Sequence, residues 1–150
     1  MKISNSTRTS IFTILLVTVV TLGIGSYSVF HTRSAEFSEV NASIDFVAQA
    51  ALDNPEQSIG AALFAIEQQT LNATLTLLTE EGQETLVRES SLIYLGAPAK
   101  DLIEKATLRP ITIRADDPYQ LRTVRLEDED FILIARSTNA IDEHFEVNIR

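Results

Sequence analysis

The sequence predicts an α+β protein: an N-terminal transmembrane helix continues into a long helix, and a five-stranded antiparallel sheet with flanking helices follows. Three observations support this class. Residues 11–30 are twenty residues without a charged side chain. The next residues repeat apolar side chains at spacings of three and four, which is typical of an amphipathic helix. Beyond residue 72, apolar and polar residues alternate, which indicates strands.

The composition divides the chain into a hydrophobic anchor and one acidic domain. Of the 150 residues, 45% are hydrophobic and 22% are charged, which is typical of globular proteins. Residues 34–150 contain 9 Lys and Arg against 21 Asp and Glu, a net charge of -12 that argues against a nucleic-acid partner. The absence of cysteine excludes disulfides, thiolate catalysis and cysteine-ligated metals. No catalytic motif occurs, so the sequence leaves an enzymatic activity undecided.

Residues 11–30 are long enough to cross a bilayer, because twenty helical residues span roughly 30 Å. Lys2 and Arg8 precede this segment, and basic residues before a span favour a cytoplasmic N-terminus. We therefore expect a single pass through the plasma (inner) membrane, with residues 1–10 in the cytoplasm and residues 31–150 outside it. The alternative is a cleaved signal peptide, for which Ser26-Tyr27-Ser28 offers small residues.

Residues 34–52 are predicted to continue the membrane helix as an amphipathic helix. Their apolar stripe fits a seam between the two chains of a homodimer. It fits equally the packing of this helix on the protein's own sheet, and the sequence does not separate the two. Asp53-Asn54-Pro55 ends the helix and starts a second one, which ends near Gln69. The stripe consists of Phe37, Val40, Ile44 and Val47.

Five strands are predicted in the remaining chain. Gly82 supplies the turn of the first hairpin. In the fourth strand the apolar residues change from odd positions to even positions between Leu121 and Val124, which predicts a bulge there. Residues 131–135 are apolar on both faces and should form a central strand, and helices should flank one face of the sheet. The predicted elements are strands at 72–79 and 84–90, a short helix at 99–106, strands at 109–114, 119–126 and 131–135, and a last helix capped by Ser137 or Thr138.

Three stretches together suggest a known family: the anchor 11–30, the stripe from Phe37 to Val47, and the run FILIARSTNAIDEHFEVNIR at 131–150. This layout resembles the N-terminal anchor and extracytoplasmic PAS-like sensor region of a bacterial sensor histidine kinase. The resemblance implies a PAS-like sheet with a ligand pocket on the face away from the long helix. It also implies a homodimer, and a last helix that leads to a second membrane span.

The resemblance implies the signal-input module of a two-component system. The chain has no phosphoacceptor-histidine box and no ATP-binding box, so the family's catalytic residues have no counterparts and a response regulator would be reached only through a missing kinase core. His144 is a loose match to a phosphoacceptor and reads equally as a solvated helix residue. We expect either the N-terminal part of a longer histidine kinase or a free-standing sensor. The alternative is an anchored or secreted small-ligand-binding protein with no signalling output.

Arginines and tyrosines near the predicted strands are the candidate ligand-binding residues. Arg109 and Arg136 alternate in step with the apolar residues of their strands, so each is expected on the apolar face. A guanidinium that lines a half-buried pocket is suited to a carboxylate ligand. Tyr94 and Tyr119 flank the expected pocket loops. The alternative is that these arginines form ion pairs with the many Asp and Glu side chains at the edge of the expected pocket.

The densest run of charge is a candidate metal site, formed by Glu127, Asp128, Glu129 and Asp130. Four carboxylates on one turn repel each other, and a Ca²⁺ or Mg²⁺ ion would relieve the repulsion. The run lacks the EF-hand spacing, however, and a solvated hairpin tip explains it as well. No other cofactor is expected.

Overall fold

The computed structural model describes residues 5–90, 96–139 and 141, with side chains from residue 9 onward, in two compact units, Met1–Glu36 and Phe37–Arg150. The two predicted N-terminal helical segments form one helix, α1, Asn5–Asp53. Within the described residues, α1 is the one helix long and apolar enough to cross a membrane by length and composition. A signal sequence has the same length and composition, so the prediction of an uncleaved membrane anchor stays open.

The apolar part of α1 in the first unit presents its side chains outward. Phe12, Leu22 and Phe30 are 68%, 65% and 77% exposed, and apolar exposure on this scale is unfavourable in water. The threonine hydroxyls of this part bond back to the helix: those of Thr18 and Thr21 donate to carbonyl oxygens four residues earlier, each at 2.8 Å. These bonds satisfy the hydroxyls within the helix itself, which suits an apolar surrounding.

The second unit contains a five-stranded antiparallel sheet, as the sequence predicts. A 3₁₀ turn at Pro55–Gln57 leads into α2, and the strand order across the sheet is β2-β1-β5-β4-β3. The elements are α2 (Ser58–Gln68), β1 (Thr74–Leu78), β2 (Glu84–Arg88), α3 (Lys100–Ala106), β3 (Ile111–Ile113), β4 (Tyr119–Arg125) and β5 (Phe131–Ser137).

β5 is the central strand, because it pairs with β1 on one side and β4 on the other. Ile132 and Ile134 are buried against one layer of helices, and Leu133 and Ala135 are buried on the opposite face. The prediction of a strand that is apolar on both faces is confirmed.

The described helices cover both faces of the sheet, so the expectation of helices on one face is wrong. The C-terminal part of α1 and α2 pack on the face that carries Ile132 and Ile134. α3 packs on the other face through Ile103 and Ala106. The physical reason is that the central strands bury apolar side chains on both sides, so each side needs its own cover.

The predicted bulge in β4 is also wrong. β4 pairs residue for residue with β5 over its whole length. Leu121 therefore lies on the α3 face and Val124 on the α1 face, and the shift of apolar parity arises because the strand is buried on both faces. The register shift occurs instead in the pairing of β1 with β2, where the adjacent residues Leu75 and Thr76 pair with Arg88 and Leu86, which are two residues apart.

The stripe on α1 faces the protein's own sheet. Val40, Ile44 and Val47 are buried, and Ile44 and Val47 belong to the core beneath β1, β4 and β5, whereas Phe37 is half-buried. A partner chain would therefore have to contact other side chains of α1, such as Phe46, which is 43% exposed. The homodimer itself stays a prediction.

The predicted last helix falls mostly outside the described residues. Asn139 and Ile141 are helical, and the Ile141 N–H donates to the Thr138 carbonyl oxygen at 3.0 Å. His144, which the sequence also assigns to this helix, lies outside the described part of the chain.

Adjacent residues on α1 provide a matched test of the packing. We expect Val47→Glu to reduce the free energy of unfolding by about 3–5 kcal/mol, because the new carboxylate would be buried without a partner. Phe46→Glu should change it by less than about 1 kcal/mol, because that side chain is partly in solvent. Denaturation of the full chain in detergent measures both values. Equal losses would show that residues 44–47 do not pack as described.

Candidate ligand-binding site

A cavity of about 300 Å³ opens at one end of the sheet, on the α3 face. Its apolar floor is formed by Leu78 of β1, Ile103 of α3 and Phe131 of β5, all of which belong to or pack against the core on that face. Ala97 and Pro98, on the segment leading into α3, complete the wall. This volume lies at the small end of the range for ligand pockets.

The position of the cavity follows from the shortness of α3. A helix of seven residues is about 10 Å long, whereas strands of seven residues such as β4 and β5 extend about 23 Å. Among the described elements α3 is the helix on this face, so it covers only part of the length of the central strands. The end near the β1–β2 and β4–β5 turns remains open.

Two hydrogen bonds hold the walls of the cavity together. The Glu80 N–H on the first turn donates to Asp130 Oδ1 on the second turn at 3.0 Å. The Ala97 N–H donates to Glu84 Oε1 at 2.7 Å, which ties the segment before α3 to β2. Gly82, also in the wall, has a φ of +82°, a conformation that favours glycine. The turns that form part of the cavity wall are therefore held in position by specific hydrogen bonds.

The rim carries more negative than positive charge. Arg125 Nη2 lies 2.7 Å from Glu129 Oε1, so this cation is already paired with one of the acids. Lys100 is the other cation in the lining. The lining residues with a carboxylate are Glu80, Glu84, Glu104 and Glu129.

Tyr119 lies near this site in the α3-side core, although it does not line the cavity. Its side chain is 7% exposed. Burial raises the pKa of its hydroxyl above 10.0, and the negative charge of Glu84 raises this pKa further. The proton is therefore held more tightly in the folded protein than in water.

Three of the four candidate ligand-binding residues are described, and the structure does not bring these three together in the cavity. Arg109 is exposed and precedes β3, which is shorter than predicted. Arg136 lies on the α1 face, where its Nη1 donates to Ser43 Oγ at 2.9 Å, whereas Tyr119 lies on the α3 face. These three residues do not line the cavity, and Tyr94 lies outside the described residues.

The acidic turn is partly engaged with protein groups. Glu129 pairs with Arg125, and Asp130 accepts the Glu80 N–H, while Glu127 and Asp128 are exposed. In the described part of the chain, no three Asp, Glu or His side chains are grouped to hold a metal ion. A Ca²⁺ or Mg²⁺ ion at this turn stays a prediction.

Arg122 is the polar hub that reasoning from the sequence missed. Its Nε donates to Asp45 Oδ1 of α1 at 2.8 Å. Its Nη1 donates to the carbonyl oxygens of Ala106 and Thr107 at the end of α3, at 2.7 Å for Ala106. The available signal was the position of Arg122 two residues before Val124, which places its guanidinium on the strand face that carries a buried apolar side chain.

Comparisons of the chain with protein-family models, with curated proteins and with solved structures find no match.

Arg122 and Arg125 form a matched pair for measuring the importance of the hub. We expect Arg122→Ala to reduce the free energy of unfolding by about 2–3 kcal/mol, because charge-assisted bonds at a largely buried side chain are lost. Its side chain is 12% exposed. Arg125→Ala should cost less than about 1 kcal/mol, since its ion pair with Glu129 is solvated. Denaturant titration measures the free energy of unfolding of both variants. A larger loss for Arg125→Ala than for Arg122→Ala would contradict the structural role assigned to Arg122.

The raised pKa of Tyr119 predicts a loss of stability at alkaline pH. As the pH rises past about 10, the unfolded chain releases this proton before the folded chain does, so the free energy of unfolding falls. Tyr119→Phe cannot ionise and should flatten this decline while matching wild type below pH 9 or so, which is about one unit under the unfolded pKa. Melting temperatures across the alkaline range test this. Parallel curves for the two proteins would contradict it.

Proposed function

We propose that this chain is a membrane-anchored extracytoplasmic sensor module, the signal-input part of a sensor histidine kinase, which binds a small molecule in the cavity beside α3. The observation that carries the proposal is the cavity itself, on the face of the sheet opposite α1. This is the face on which the resemblance to PAS-like sensors places a ligand pocket. Its volume and its apolar floor with a polar rim suit a small organic molecule.

A continuous series of contacts links the cavity to α1. Ile103 and Glu104 of α3 line the cavity. The carbonyl oxygens at the end of the same helix accept hydrogen bonds from Arg122, which also binds Asp45. A shift of α3 that accompanies binding would therefore change the bonds of α1.

This series provides a route for a signal. A ligand shifts an equilibrium between two arrangements only as far as its affinities for them differ. In the sensor, the two arrangements differ in whether Arg122 holds α1 and α3 together. Asp45 belongs to the same helix as the apolar segment 11–30, so the proposed response is a small displacement of α1. In the proposed homodimer this displacement would shift the equilibrium between two ways in which the two chains pack together.

Filling the cavity tests ligand binding. We expect one or more compounds in a panel of amino acids, dicarboxylates, sugars and amines to raise the melting temperature of the wild-type chain in detergent. Ala97→Trp should abolish this rise because the indole occupies the cavity. Ala99→Trp is the control, since Ala99 is exposed and does not line the cavity. Binding in the cavity is contradicted if no compound raises the melting temperature, or if a compound raises that of Ala97→Trp by the same amount.

Hydrogen exchange separates a sensor from a binding protein without output. A stabilising compound should change amide exchange in α3 and also in residues 37–53 of α1. Arg122→Lys should keep binding but lose the change in α1, because an ammonium cannot reproduce the several bonds of the guanidinium. A response confined to α3 in wild type would favour the ligand-binding protein with no signalling output.

Reporter fusions test the proposed location. An enzyme active only outside the cytoplasm, fused after Arg150, should be active, and one active only in the cytoplasm should be silent. The reason is that Lys2 and Arg8 favour a cytoplasmic N-terminus before a single span. The reverse pattern would contradict the topology. Retention of residues 5–30 in the mature chain, read by mass spectrometry, distinguishes an anchor from a cleaved signal peptide.

A further inference from the structure

We propose that the cavity beside α3 takes a small organic cation, namely an ammonium group carried on an apolar body about the size of a phenyl ring. This inference rests on the proposed ligand-binding function and specifies the chemistry of the ligand. It departs from the carboxylate ligand that the arginines on the strands suggest from the sequence.

The apolar body is accommodated by the floor. Leu78 and Phe131 are half-buried side chains at facing positions of β1 and β5, and Ile103 of α3 lies over the same end of the sheet. A hydrocarbon group placed there would remove apolar surface from water on both itself and the floor. The floor thus supplies affinity without selecting a charge.

The rim selects the charge. Arg125 is occupied by Glu129, and Glu84 uses only Oε1 to hold the Ala97 N–H. Glu80 and Glu104 are exposed carboxylates with no hydrogen bond or ion pair to another described residue, and Lys100 is the one rim cation not held in an ion pair there. An entering cation therefore meets an excess of carboxylates, whereas an anion meets repulsion.

The charge of one lining carboxylate, Glu84, also acts on the neighbouring core. After burial, the charge of Glu84 is the second cause that raises the pKa of Tyr119. The residues suited to a carboxylate do not contribute here, because Arg136 bonds to Ser43 on the opposite face and Arg109 lies outside the lining. An organic cation fits better than a bare metal ion, since the apolar floor offers a metal no ligand atoms.

Three probes with one phenyl body and different charges test the inference: phenethylammonium, 2-phenylethanol and phenylacetate. Calorimetry on the full chain in detergent should show phenethylammonium binding about fivefold more tightly than the alcohol, as expected for a solvated ion pair, and phenylacetate binding most weakly. Added salt should reduce this preference.

Variants connect the preference to the rim. The double variant Glu80→Gln with Glu104→Gln should remove most of the preference for the cation, measured as the ratio of the affinities for phenethylammonium and 2-phenylethanol. Asp101→Asn is the matched control, because Asp101 lies on α3 and pairs with Lys105 but does not line the cavity. Ala97→Trp should eliminate binding of all three probes.

Each opposing result is informative. Tighter binding of phenylacetate, equal binding of the three probes, or a cation preference that survives the double variant would overturn the organic-cation inference and leave small-molecule binding in place. Absence of binding by all three probes would overturn it too, while stabilisation of wild type but not Ala97→Trp by another compound would still support small-molecule binding in the cavity. Binding of the cation that Ala97→Trp does not affect would place it outside the cavity.

Discussion

The burial of β5 on both faces is the constraint on which the second unit depends. Its side chains alternate between Ile132 and Ile134 on one side and Leu133 and Ala135 on the other, and all four are almost completely buried. Burial of each Ile or Leu side chain contributes about 1.5–3 kcal/mol, so neither face can be left in water. Helices must therefore cover the sheet from both sides.

The two covers are unequal, and the inequality produces the candidate site. α1 and α2 supply a continuous apolar layer to one face. α3 has only seven residues, so within the described part of the chain a cavity remains at the end of the other face, between the tips of two hairpins. The Glu80–Asp130 and Ala97–Glu84 bonds then hold the opening in shape. A cavity in this place follows from element lengths together with a few polar bonds.

The positive charges of the second unit are used largely within the protein. Arg122 joins α1 to the end of α3, Arg136 bonds to Ser43, and Arg125 pairs with Glu129. Because these guanidinium groups are committed to structural bonds, they do not neutralise the other carboxylates at the cavity rim. The same distribution of charge explains both the proposed link from cavity to α1 and the proposed preference for a cation.

Features that depend on residues close together in the chain can be predicted from the amino-acid pattern alone. The uncharged segment 11–30, the alternation in β1 and the apolar run of β5 are local patterns, and the structure has a helix at the first and strands at the other two. The threonines of β1 are nevertheless buried as fully as Leu75. The tertiary structure alone decided which surfaces meet. Whether Val47 faces a sheet or a partner, and on which side of the sheet Arg136 and Tyr119 lie, depends on strand pairing between distant residues. Parity assigns a residue to a face of its own strand but does not say what covers that face. For this reason the cavity, the Arg122 hub and the helices on both sides of the sheet emerged only from the fold.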